Sequence, residues 1–243
     1  MVDEVAAPWF FRWRESLFGI AYGAGFFFGF FIAGSLHQME PSYVRLGELL
    51  PVLGARGAQT LAVVLVAFGW AWRVWGASYL SSAVVWSDAV RTGTLHVEGP
   101  YRLTRNPLYF GNVAIALGVG MLGPPAVTGL VLIFNLVLIL ALVAVEERSL
   151  AKRYGSVYEN YARSVPRLFP RFVPAQHLKT ESATKPNLQQ GLRSEVMTCG
   201  FVVAMLVGLV TARPLSLAVA IVFALSIAAG SVFTPREARP AAG

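Results

Sequence analysis

The chain has 243 residues, of which 56% are hydrophobic and only 14% charged, and it carries a formal net charge of +7. Its apolar residues run in long blocks instead of alternating with polar ones. That excludes an ordinary soluble domain and fits a bilayer, which takes about 20 apolar residues to cross a core of roughly 30 Å. The basic residues lie between the blocks and most densely over residues 148–193, so anionic lipid headgroups are the expected partner and nucleic acid is not.

The N-terminus starts with acidic and aromatic residues, Asp3, Glu4, Trp9 and Phe10. It lacks the basic start and small-residue cleavage site of a signal peptide, so the first apolar block is expected to remain as a span. That block, residues 17–36, places Gly19 with Gly23 and Gly25 with Gly29 at a four-residue spacing suited to close helix approach. The second span covers about 59–80 and holds Arg73 among Trp70, Trp72 and Trp75. An ionisable side chain there is either a functional group or one that snorkels to the headgroups.

A third span starts at Pro107 and ends near Gly123, about 17 residues or roughly 25 Å of helix. Asn106 suits its N-cap and Pro107 its first helical position. Pro124 and Pro125 force a tight turn into a fourth span, about 126–145, which ends at Glu146, Glu147 and Arg148. These two spans therefore form an antiparallel hairpin. The helical pattern runs on to Gly155, and Ser156 with Glu159 reads as a capping box for a short amphipathic helix carrying Tyr158 and Tyr161. Pro166 ends it.

Residues 171–195 read as a polar surface linker, and two last blocks, 196–212 and 214–233, form a hairpin about Arg213 and Pro214. Cys199, the single cysteine, lies in the first of them, so neither an intrachain disulfide nor a thiolate cluster is expected. His37, His96 and His177 have no metal-ligand spacing, and no metal site is expected. The chain thus reads as an all-α transmembrane bundle of about six spans. Four parts follow: N-terminal spans (1–91), a core (92–170), the linker (171–195), and a terminal hairpin with its tail (196–243). Placing both termini in the cytoplasm leaves only Arg45, Arg56 and Arg213 outside, as the bias of Lys and Arg toward cytoplasmic loops requires.

Chemistry concentrates where the hairpin's two polar ends meet. Arg102 and Arg105 precede the start of the third span, where free backbone N–H groups attract an anion. The alternative is that both arginines anchor the span at the headgroups. Glu146 and Glu147 arrive from the fourth span, and because neighbouring helix positions differ by about 100° only one can face inward. We take Glu146 as that one. Carboxylates converging with a guanidinium suit a zwitterionic amino acid moiety, of the kind S-adenosylmethionine carries.

The run Gly99-Pro100-Tyr101, Arg105-Asn106-Pro107-Leu108-Tyr109, Glu146-Glu147-Arg148-Ser149-Leu150, Tyr154-Gly155, Tyr158, Tyr161 and Val165-Pro166-Arg167-Leu168-Phe169-Pro170 resembles the C-terminal signature of the isoprenylcysteine carboxyl methyltransferases. The likeness covers about residues 92–170. Phospholipid methyltransferases share a related pattern, in which a Gly-x-Gly within one span and a Glu-Glu pair ending the next serve the cofactor. Gly118-Val119-Gly120 and Glu146-Glu147 are similar to it, although such glycines also pack helices.

The resemblance implies a pocket for S-adenosylmethionine, with S-adenosylhomocysteine as product, between spans three and four. Thr94, Leu95 and His96 would touch the cofactor through their backbone and Tyr101 would pack on it. Asn106, Pro107, Leu108 and Tyr109 would form the turn beneath its polar groups, with Glu146 or Glu147 on the ammonium. Arg105, Arg167 and Glu147 are the candidate catalytic residues, and Arg167 or Arg73 would hold an acceptor carboxylate. Asn106 stands where the family has His in its Arg-His-Pro turn, and Gly93 where the human-type enzymes have His. The implied reaction is methyl transfer to a lipidic or lipid-linked carboxylate, amine or thiol in the membrane, in a bacterial-type inner membrane with the site facing the cytoplasm. Rival readings are an NADPH-dependent reductase of the sterol type, which carries a similar Arg-x-Pro-x-Tyr turn, and a non-enzymatic protein retaining the fold.

Overall fold

The computed structural model describes residues 13–80, 95, 97–175 and 185–211. They form helices α1 (Arg14–Ser35), α2 (Ser42–Leu49), α3 (Gly54–Ala77), α4 (Pro107–Gly120), α5 (Pro125–Tyr154), α6 (Ser156–Ser164), α7 (Leu188–Ser194) and α8 (Val196–Thr211), with a 3-10 turn at Gly99–Arg102. No strand occurs among the described residues. Helices α1, α3 and α5 are long and apolar enough to cross a membrane, and α7 with α8 passes the same test as one element bent by 71°. The described part of the chain is thus an all-helical membrane-embedded fold. The expected span at 214–233 lies outside the described residues.

Prolines set the hairpin. Pro107 opens α4 and Pro125 opens α5, each where a missing N–H costs nothing. The connection at 121–124 is held from the side by α2, whose Ser42 N–H donates to the Gly123 carbonyl at 2.7 Å and Tyr43 N–H to Met121 at 3.2 Å. Reading by apolar blocks does not separate α2 from its loop, because it is only eight residues long.

Two glycine contacts fix the lateral packing. A Cβ on Gly25 or Gly29 would fall 2.8 and 2.5 Å from the Cα atoms of Val131 and Val127, so α1 touches the α5 backbone there. Gly19 and Gly23 meet nothing within 4 Å, and only half of the expected glycine pattern packs. Where α3 crosses α4, Gly69 faces Gly111, each within 2.7 Å of the other's carbonyl oxygen if given a Cβ. That crossing brings Arg73 onto α4.

Helix α5 runs unbroken for 30 residues, past the glutamates to Tyr154. Gly155, at φ 50 and ψ −128, turns the chain into α6. The expected capping box is not made: Gly155 holds the cap position and Ser156 is already the first helical residue, with no side-chain cap. Helix α8 returns along α3, packing Met205 with Ala62, Val63 and Val66.

Candidate functional site

Gly99 opens the polar stretch. Its φ of 56 and the Tyr79 ring lying where a Cβ would go admit only glycine. The following turn buries Pro100 and Tyr101, and the Tyr161 hydroxyl donates to the Tyr101 carbonyl at 2.8 Å. From here the chain is stitched to the segment after α6. Arg105 N–H donates to Pro166 at 2.9 Å, Arg171 N–H to Leu103 at 3.0 Å, and the Thr104 hydroxyl to Leu168 at 2.9 Å. Two irregular stretches thereby satisfy each other's backbone at the end of the hairpin.

Asn106 occupies the N-cap of α4 but makes no capping bond. Its amide donates instead to the Arg167 carbonyl at 2.8 Å and to Glu147 Oε1 at 3.3 Å. Glu147, 7% exposed, is the hub. Its Oε1 lies 3.1 Å from Arg105 Nη1, and its Oε2 accepts from Arg167 Nε and Nη2 at 2.8 and 2.6 Å. A buried carboxylate persists only when paired and hydrogen-bonded in this way.

Glu146 sits one helical step away, half-buried, and its Oε1 accepts from the Tyr109 hydroxyl at 2.7 Å. Arg105, Arg167, Glu146 and Glu147 thus gather where α4 begins and the apolar part of α5 ends, with Arg14 close enough to act on Glu146. Such a cluster is complementary to a zwitterion. Arg102 Nε, Arg105 Nε and Tyr158 Oη are buried here without a hydrogen-bond partner, three of the five such atoms among the described residues. Unsatisfied buried donors are costly, so a cluster of them needs a reason.

Burial pushes the Tyr158 phenol up to about 12, with Glu147 adding to the rise and Arg105 opposing it. The Tyr101 and Tyr161 phenols are likewise raised by burial, so all three are neutral donors at ordinary pH. Hydrogen bonding to Glu147 raises Arg167 further and keeps it charged.

The structure brings Tyr101, Arg105, Asn106, Pro107, Tyr109, Glu146, Glu147 and Arg167 to this end of the hairpin. Leu95 packs beside them with Val97, Tyr158 and Tyr161. Leu108 and Pro107 lie over Gly76 of α3. Thr94 and His96 fall outside the described residues. Gly118 and Gly120 sit at the opposite end of α4, where Gly118 packs on Ala62 and Val66 of α3 and Gly120 on Thr128 of α5.

Arg73 neither snorkels nor stands open. Its Nε and Nη2 hold Glu195 at 2.6 and 2.9 Å, and its Nη1 donates to Asn112 Oδ1 at 2.6 Å and the Leu108 carbonyl at 3.3 Å. Sequence reasoning missed both Asn112 and Glu195. The signal was a lone carboxylate at the edge of an apolar block and a lone cation inside another, which must find each other in a low-dielectric layer.

The family model for phospholipid methyltransferases matches residues 58–157. The cobalt-zinc-cadmium resistance protein CzcN of Cupriavidus metallidurans is 30% identical over 142 residues, 58% of this chain and 62% of that protein. The nickel-cobalt-cadmium resistance protein NccN of Alcaligenes xylosoxydans xylosoxydans is 26% identical over 131 residues, 54% of this chain and 58% of its own length. The chain thus spans about three fifths of the curated relatives it matches. No solved structure shows significant similarity to it. The matched segment holds most of α3, all of α4 and α5, the polar turn between α3 and α4 and both glutamates, and over this segment the chain is similar to the phospholipid methyltransferases.

Proposed function

We propose that this chain transfers a methyl group from S-adenosylmethionine to an acceptor presented from the bilayer. The observation that carries the reading is the cluster of Arg105, Arg167, Glu146 and Glu147 beside three buried donors without a hydrogen-bond partner. When bound, S-adenosylmethionine supplies a methyl group on a sulfonium, and the residues have the chemistry to hold its amino acid end. Glu146, with one oxygen on Tyr109, keeps the other for an ammonium. Arg105 Nε and Tyr158 Oη can donate to a carboxylate. Tyr101 and Leu95 offer an apolar wall, joined in this reading by the backbone at Thr94 and His96.

Glu147 serves a different purpose: it pins Arg105 and Arg167, so that neither long side chain must be ordered when ligand arrives. Arg167 is half exposed, its side chain at 50%, and Nη1 takes no part in the pair with Glu147. It is the group best placed to meet an acceptor, and an anionic one by preference. The relatives are named for metal resistance, but among the described residues no group of His, Cys, Asp or Glu converges as a metal site.

The test is thermal melting of the detergent-purified chain with S-adenosylmethionine, S-adenosylhomocysteine or NADPH. A ligand at about 100 times its Kd stabilises the folded state by roughly 2.7 kcal/mol. Stabilisation by the first two, lost in Glu146→Ala, is the expected result. A response to NADPH alone would instead support the reductase, and no response to any of the three would leave a non-enzymatic protein.

A further inference from the structure

We infer that Glu195 is a positioning residue for the candidate methyl-transfer site, acting through Arg73 on the first turns of α4. This rests on the reading of the Arg105–Tyr109 turn as part of the cofactor site. Within the family-matched segment the described carboxylates are Glu98, Glu146 and Glu147, engaged by Arg102, Tyr109, and Arg105 with Arg167 respectively. None of them is on Arg73. Among the described residues, the matched core therefore carries a guanidinium in an apolar layer whose counter-charge comes from a segment outside the match.

Glu195 is built for that contact. It sits at the 71° break between α7 and α8 and is 1% exposed. Its backbone carbonyl accepts from Trp70 Nε1 at 3.3 Å, and its Oε2 also accepts from the Thr198 hydroxyl at 2.7 Å. Helix α7 is fastened at the same place: Asn187 N–H donates to the Ser78 carbonyl at 2.8 Å, Gln190 donates to the Leu80 carbonyl, and Gly191 lies against the Val74 carbonyl. A carboxylate whose backbone is anchored by Trp70 and whose side chain is steadied by Thr198 orients the planar guanidinium rather than merely neutralising it.

The oriented guanidinium then acts on α4. Arg73 Nη1 reaches the Leu108 carbonyl and the Asn112 side chain, one turn apart on one face. Pro107 and Leu108 rest on Gly76 a turn further along α3. On the α5 side the same turn is held by Glu147 through Arg105 and Asn106. The start of α4 is thus clamped between two buried carboxylates, one inside the family segment and one outside it. Loss of the second frees the turn to shift relative to Glu146 and Tyr158 while the hairpin remains.

The experiment measures the affinity of S-adenosylhomocysteine by calorimetry on the full chain in detergent, for wild type, Glu195→Gln, Asn112→Ala and the double variant. Helix content and monodispersity check folding. We expect each folded single variant to bind about tenfold or more weakly. The double variant should bind no more weakly than the worse single one, because both act through Arg73 on one element. If Glu195→Gln does not fold, Asn112→Ala, which leaves the ion pair intact, carries the same expectation. Unchanged affinity in the folded variants, or losses that add, would assign Glu195 to stability alone and overturn the inference. A wild-type chain that does not bind S-adenosylhomocysteine would instead overturn the underlying reading, and the role of Glu195 with it.

Discussion

Glu146 and Glu147 are neighbours in sequence, yet a single helical step gives them separate partners. Glu147 holds two guanidinium groups and an amide, whereas Glu146 holds one phenol. Removing a buried carboxylate that pairs two cations should cost about 3 kcal/mol, the low end of the usual range because Arg167 is half exposed and screened. Glu147→Ala is therefore expected to lower Tm by several degrees in detergent. Glu146→Ala should leave Tm nearly unchanged and abolish stabilisation by S-adenosylhomocysteine. Equal effects of the two variants on Tm would contradict this division of labour. The sequence pointed to the pair but not to the roles, for a physical reason. The apolar stretch of α5 before the glutamates carries no amphipathic stripe to fix its rotation, so that rotation is set by long-range contacts, among them those with α1, Tyr109, Arg105 and Arg167.

Elements show the same contrast between local signals and packing. Gly25 and Gly29 bring α1 against α5, while Gly19 and Gly23 face open space. Gly25→Ala or Gly29→Ala should separate the helices at a cost of about 1–3 kcal/mol. Gly19→Ala or Gly23→Ala should be neutral or slightly stabilising, since alanine is the better helix former. A Tm series on the four variants checks both expectations. At Gly155 the penalty is conformational alone, because nothing lies within 4 Å and φ is 50. Gly155→Ala should cost about 1–3 kcal/mol and loosen α6. That helix also gives the chain a response to alkali. The Tyr158 phenol is pushed up to about 12 by burial, above its unfolded value near 10. Its contribution to stability is therefore intact below pH 10 and lost as pH rises toward 12. Tyr158→Phe should blunt this alkaline loss of Tm. The start, stop and amphipathic character of α6 were legible from Gly155, Tyr158, Tyr161 and Pro166. Its capping box was not, since the motif cannot tell a Ser at the cap from one already inside the helix.

At the scale of the whole molecule, the helices run between two unlike ends. One holds Arg73, Arg102, Arg105, Arg148, Lys152, Arg153, Arg163, Arg167, Arg171, Lys185 and Arg193, with the candidate site among them. The other, where α2 meets the α4–α5 connection, holds Arg45 and Arg56. The hairpin and the three long apolar helices could be read from Pro107, Pro124, Pro125 and block length alone, whereas α4, expected as a span, is only 14 residues long. The docking of α7 and α8 on α3 could not, because the pairing of Arg73 with Glu195 spans more than a hundred positions and leaves no periodicity behind. The charge asymmetry does bear on orientation. Lys and Arg are enriched in short cytoplasmic loops, so the basic end, and the site with it, is expected to face the cytoplasm. Cys199 is the single cysteine, and its replacement by Ser leaves a background for labelling single introduced cysteines with an impermeant maleimide in intact cells. An exposed position on α2, such as Leu49, should label from outside. Exposed Val173, beyond α6, should label only after the membrane is opened. The reverse pattern would turn the site to the outer face, where a cofactor made in the cytoplasm could not reach it, and would count against methyl transfer as strongly as a failed binding assay.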